Sequence, residues 1–206
     1  MKKIAMLIAA MTMLLAVNIS AEAKGKVGIV GGFTSSRMSL KDVSFKNATG
    51  FNAGVAFNQP LLLGFSIQPE LIYNVKATSL QDVKANFNLG YVEVPVQVQW
   101  GIDVLNVARV YAFAEPFIGY AVSGKVNVDS MIGGGTRDII NNIKNKLEYG
   151  FGIGAGAMLI DHVQISFKYY WNLESSDLKD IVEEVKGKIG GASSFNGLVI
   201  SAGIFF

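Results

Sequence analysis

From Lys24 to Phe206 the chain divides into eight stretches in which apolar residues alternate with small or polar ones. A period of two puts successive side chains on opposite faces of an extended strand. One stretch shows it plainly: Leu147, Tyr149, Phe151, Ile153, Ala155, Ala157 and Leu159 interleave with Glu148, Gly150, Gly152, Gly154, Gly156 and Met158. The spacing predicts strands near 25–34, 50–58, 63–76, 86–100, 108–122, 146–159, 162–173 and 194–206. The connections after the second, fourth and sixth are brief (Gln59 to Leu62, Gly101 to Val107, Ile160-Asp161), and those after the odd-numbered strands are longer.

One face of each strand is apolar. Val92, Val94, Val96, Val98 and Trp100 oppose Tyr91, Glu93, Pro95, Gln97 and Gln99, and Val163, Ile165, Phe167, Tyr169 and Trp171 oppose Gln164, Ser166, Lys168, Tyr170 and Asn172. In lipid every backbone polar group must be paired internally, so a sheet spans a membrane only by closing on itself. The expected fold is therefore all-β: an eight-stranded antiparallel up-and-down transmembrane β-barrel in outer-membrane lipid. Val94, Val96, Phe151 and Ile153 are expected to face that lipid, with Tyr73, Trp100, Tyr120, Tyr169 and Trp171 near strand ends as aromatic girdles. Short turns belong on the periplasmic side and long loops outside, which leaves both termini periplasmic. The final strand, ending in Phe206, is the segment expected to meet the barrel-assembly machinery, and the barrel is expected to be a monomer.

Two long loops carry further pattern. In the third, Gly133-Gly134-Gly135 precedes a short helix expected from Thr136 to Lys146. In the fourth, Leu178, Ile181, Val182 and Val185 recur at helical spacing between Ser176 and Lys188, which predicts an amphipathic helix packed as a lid over the barrel mouth.

The first residues read differently. Met1-Lys2-Lys3, an apolar run from Ile4 to Val17 and the small-residue site Ala21-Glu22-Ala23 form a secretory signal peptide over 1–23, cut before Lys24. The run is shorter than the roughly 20 residues of a spanning helix. The barrel domain then occupies 24–206. With no cysteine the chain has neither a lipid-attachment site nor thiolate metal ligands. Loss of Lys2, Lys3 and Glu22 leaves a net charge of +1, and nothing points to nucleic acid. A mean hydropathy of +0.37 without a long apolar run after Val17 fits strands that spend every second residue on lipid.

Candidate chemistry is sparse. Gly152, Gly154 and Gly156 do not match G-x-G-x-x-G, and no helix pattern follows them, so the run is not a phosphate-binding loop. A whole face of glycine implies instead a crowded interior. The single histidine, His162, sits at a tight turn, whereas catalysis requires a base beside a nucleophile. No Asp, Glu or His grouping has metal-ligand spacing, and no cofactor is expected. The best constellation lies in the lumen. Glu70, Glu93 and Glu115 fall seven or eight residues from the short-turn ends of adjacent strands, and Lys168 reaches across from the opposite wall. An eight-stranded interior is just wide enough to be filled by side chains, so this cluster reads as a polar plug.

Pro69-Glu70-Leu71-Ile72-Tyr73 followed by Tyr91-Val92-Glu93-Val94-Pro95-Val96 resembles the paired signatures of the PorT-type outer-membrane β-barrel family common in Bacteroidota. The resemblance continues through Tyr111 to Tyr120 and through Phe167 to Leu173, where the family often has arginine and this chain has Lys168. It implies an eight-stranded outer-membrane barrel. The function expected is non-catalytic, structural or surface-interacting through the long loops, with no extracellular partner specified. The alternatives are a narrow gated pore and a soluble periplasmic barrel holding an apolar ligand.

Overall fold

The computed structural model describes residues 25–39, 45–80, 85–104, 107–128, 135–143, 145–174 and 194–206. They form β1 (Lys26–Ser39), β2 (Phe45–Pro60), β3 (Phe65–Leu80), β4 (Ala85–Val104), β5 (Ala108–Val128), β6 (Gly135–Asp138), β7 (Leu147–Leu159), β8 (Val163–Glu174) and β9 (Ser194–Phe205), with one 3-10 turn at Ile140–Asn142. The leader expected through Ala23 and the helix expected from Ser176 to Lys188 lie outside the described residues.

Eight strands close a ring in the order β1-β2-β3-β4-β5-β7-β8-β9, all antiparallel, sealed where β1 meets β9 from Gly28↔Phe205 to Ser39↔Ser194. The short β6 lies outside the ring, paired with Lys125–Val128 of β5. It corrects the helix expected from Thr136 to Lys146. Beyond Tyr120, β5 has outrun its partner β7, and its free backbone groups need partners that the returning chain supplies as a strand.

Alternation sets the two surfaces. Ser66, Gln68, Glu70, Ile72 and Asn74 of β3 are buried in the lumen, while Phe65, Leu71 and Tyr73 are exposed outside. Outward-facing Phe33, Trp100, Ile165, Phe167 and Ile200 continue an apolar wall around the ring. A polar interior inside an apolar wall is the reverse of a soluble barrel that holds an apolar ligand.

The pattern inverts at the long-loop end. β4 and β5 run to 20 and 21 residues, well beyond the roughly 9–11 that cross a bilayer. Past a bulge at Gly90/Tyr91, Phe87, Leu89 and Val126 turn inward and are buried, while Asn86, Lys125 and Asn127 are exposed. Ile139, beside the 3-10 turn, and Leu89 converge over Gly124. There the sheet packs like a protein in water, apolar side in.

The short-turn end is built from tight hairpins. Leu63 and Gly64 (φ 60° and 78°) join β2 to β3, and Ile160 and Asp161 (φ 49° and 60°) join β7 to β8, each closed by a hydrogen bond across the turn. Two consecutive positive φ values make the turns whose twist matches paired strands.

The glycine face of β7 has a partner. A Cβ at Gly150, Gly154 or Gly156 would run into the rings of Phe117, Phe113 or Tyr111 respectively, all inward-facing on neighbouring β5. The crowding inferred from the glycines is supplied by aromatic rings.

Candidate functional site

The lumen is stacked in layers. Near the short turns, amides and hydroxyls interlock: Asn58 donates to Gln68 (2.9 Å) and Gln99 (3.2 Å), Ser66 donates to Gln99 (2.9 Å), and Gln99 donates to Gln68 (3.1 Å) and Gln97 (2.9 Å). Interlocked amides satisfy one another and leave no charge to compensate.

Above them sit Glu70, Glu115 and Lys168. Oε1 of Glu70 accepts from Gln68 (2.7 Å) and Gln97 (2.9 Å). Lys168 forms an ion pair with Oε1 of Glu115, whose other oxygen is buried without a hydrogen-bond partner. The cavity beside this pair, bounded by Glu70, Gln97, Gln164 and Lys168, measures about 10 Å³, room for about one water.

The third layer centres on Lys76, which is 1% exposed. Its ammonium lies 2.9 Å from Glu93 Oε1 and 2.7 Å from Glu148 Oε1. Asn74 donates to both oxygens of Glu93 (3.1 Å each), and Asn172 donates to Glu148 Oε2 (2.6 Å). Around the ammonium stand the rings of Tyr91, Phe117 and Tyr170, with centroids 5.0, 5.0 and 4.9 Å away. A desolvated ammonium against ring faces gains cation–π attraction in addition to its carboxylates.

Of the four residues expected as one cluster, Glu70, Glu115 and Lys168 share a layer and Glu93 lies in the next. Glu115 and Lys168 meet; Glu70 is held by amides; Glu93 belongs to Lys76. Barrel strands tilt and their register staggers around the ring. Equal residue counts from strand ends therefore do not mean equal depth. Lys76 and Glu148 were missed, although both sit on the inward parity, Lys76 two residues beyond Asn74 and Glu148 at the head of the glycine face. Within these layers two lysines face four glutamates, which leaves the lumen rich in carboxylate, offset by the Asn and Gln donors.

On the outer wall Phe151 and Ile153 are 38% and 48% exposed. Val94 is a correction: it keeps the outward parity of Val92 and Val98 but is only 8% exposed, with Ile118 directly opposite on β5. Val96 is half-buried. His162 is exposed at its turn, Nδ1 lying 2.5 Å from Ile160 O. Among the described residues no group of carboxylates and histidine is gathered for a metal ion.

A family model described as outer membrane protein beta-barrel domain matches residues 18–178. No curated protein matches the sequence. Among solved structures, Neisserial surface protein A shares 12% identity at a TM-score of 0.50, over 90% of this chain and 100% of that one. Ail of Yersinia pestis shares 13% identity at a TM-score of 0.47, over 89% and 99%. A major outer membrane protein of Thermus thermophilus shares 12% at 0.40, over 90% and 100%. The likeness to the Neisserial protein is one of fold, a barrel matched end to end.

Proposed function

Given that this chain belongs to the outer membrane protein beta-barrel domain family, we propose that it is a non-catalytic structural element or surface-interaction scaffold of the outer membrane, working through its long loops. The filled lumen carries this reading. Three layers of interlocked side chains leave, beside Glu70 and Lys168, space for about one water. The long-loop end, where β4 and β5 rise past the bulge, is then the surface offered to partners, and both termini sit on the periplasmic side with the tight turns. Phe151 and Ile153 meet lipid on this reading, and β9, ending beside outward-facing Phe206, is the strand presented to the assembly machinery of a monomeric barrel. The signatures at Pro69–Tyr73 and Tyr91–Val96 support a PorT-type member from Bacteroidota.

A narrow gated pore is the second reading. It is favoured by one observation: Lys76 bridges carboxylates from two different strands, Glu93 of β4 and Glu148 of β7, so that displacing one side chain would break both links across the bore. Planar-bilayer recording of the purified protein separates the two. A plugged scaffold gives a silent membrane, and reproducible single-channel steps from the wild type put the pore reading first.

A further inference from the structure

The lumen opens at the short-turn end into a cavity of about 240 Å³, floored by Asn58 and Gln99 of the amide layer. Lys26 at the start of β1, Pro60 at the end of β2, Arg109 and Tyr111 on β5, Met158 on β7 and Asp161 in the β7–β8 turn line it. Lys26 is already engaged, its Nζ 2.8 Å from Asp161 O and 3.7 Å from Asp161 Oδ2. Arg109 is held in place, Nη2 donating to Gly64 O (2.7 Å) and Ser66 Oγ (3.3 Å). It forms no ion pair with any described carboxylate, and its Nε is buried with no acceptor. The Tyr111 hydroxyl is buried without a hydrogen-bond partner as well, on a residue 3% exposed. Buried donors without acceptors are rare because each forfeits its hydration.

The geometry points to a binding site in this mouth for a small organic anion, a carboxylate on a short apolar chain. With Asp161 paired to Lys26, Arg109 is the cation lining this cavity that has no ion pair to a described carboxylate, and with Nη2 committed to Gly64 and Ser66 and Nε shut in by burial, its Nη1 remains as the charge-assisted donor for a carboxylate. Met158, Pro60 and the Tyr111 ring provide apolar wall for the chain. The volume equals about eight waters' share of liquid, the size of a short-chain acid and too small for a saccharide chain or nucleotide.

The test uses the full mature chain folded in detergent micelles, labelled with carbon-13 at methionine methyls, with the Met158 resonance assigned by Met158→Leu. Butyrate, the neutral isostere butyramide and inorganic phosphate are titrated to about 100 mM, the range of weak single-site binding. Butyrate is expected to shift Met158 saturably, with butyramide silent and phosphate weaker. Arg109→Gln is expected to lower butyrate affinity about tenfold, the scale of one lost charge-assisted hydrogen bond. Because Arg109 also fastens the β2–β3 turn, Asp161→Asn is the second arm. Asn tolerates the positive φ of that position, and removing the competing carboxylate should tighten butyrate binding, a gain that misfolding does not produce. Equal shifts from butyrate and butyramide, unchanged affinity in both variants, or no response at the top of the titration overturns the site. A phosphate response as strong as that of butyrate overturns the apolar tail.

Discussion

Lys76 Nζ lies 2.7 Å from Glu148 Oε1, joining residues 72 apart in the chain on strands that are not neighbours in the ring. A contact across the bore ties opposite walls together in a way that no ladder hydrogen bond does. It also places a cation where water cannot reach, so its solvation among the described residues comes from the two carboxylates, Asn172 Oδ1 at 3.5 Å and the three surrounding rings.

Removing one partner of a buried pair typically costs about 3–5 kcal/mol, because the other charge is left uncompensated. Lys76→Met should therefore destabilise the barrel by that amount in urea unfolding in detergent. Adding Glu148→Gln should recover part of the loss, whereas adding Glu115→Gln should not. For Lys168→Met the rescuer should be Glu115→Gln, with Glu148→Gln without effect. This crossed pattern tests the division of the lumen into two charged layers. Coupling of Lys168 to Glu93 as strong as to Glu115 would restore the single cluster and refute the division.

The glycine face of β7 gives a position-by-position expectation. At Gly152 an added methyl meets nothing nearer than Tyr169 O at 3.4 Å, ordinary contact. At Gly154 it runs into Phe167 O and the Phe113 ring, and at Gly150 into Trp171 O and the Phe117 ring. Backbone oxygens do not step aside. Gly152→Ala should stay within about 0.5 kcal/mol of wild type, and Gly150→Ala and Gly154→Ala should each cost about 1–3 kcal/mol, the range for overpacking. Thermal loss of the fast-migrating folded form on gels without prior boiling gives the ranking. Three equal effects would mean that β5 rings do not lie over β7.

Much of the fold was legible because lipid imposes one rule on every strand, and residues such as Phe151, Ile153, Phe167 and Trp100 obey it. The rule stops where the membrane stops. Phe87, Leu89 and Val126 sit on strands whose apolar side has turned inward, so an outward-apolar pattern read along β4 and β5 ends near Gly90 and Val122 although the strands continue. The lumen pairs were less legible for a geometric reason. Parity gave inward-facing Glu93 and Glu115, but depth depends on stagger, which no single strand records; hence Lys76, the true partner of Glu93, went unseen. Val94 shows the same gap on the outside, where parity gives direction and cross-strand neighbours decide exposure.

The last prediction concerns the tight turns. Ile160 holds φ at 49° and Leu63 at 60°, a left-handed conformation that costs an ordinary L-residue about 1–2 kcal/mol and is rarest for β-branched side chains. Both side chains are exposed, at 75% and 89%, so neither gains packing inside the protein in return. Asn accepts this backbone, and it is a preferred first residue of such turns. Ile160→Asn should therefore stabilise the barrel by roughly 1 kcal/mol. Leu63→Asn should give less, because leucine lacks the second γ-carbon that crowds the backbone at Ile160. The measurement is urea unfolding in one detergent for wild type and both variants, since exposed apolar residues at this rim also touch the micelle and that contribution must be held constant. If Ile160→Asn is neutral or destabilising while Leu63→Asn is stabilising, the contact of Ile160 with the amphiphile outweighs its backbone strain. The β7–β8 turn would then be an apolar anchor in the headgroup region, kept at the expense of local geometry.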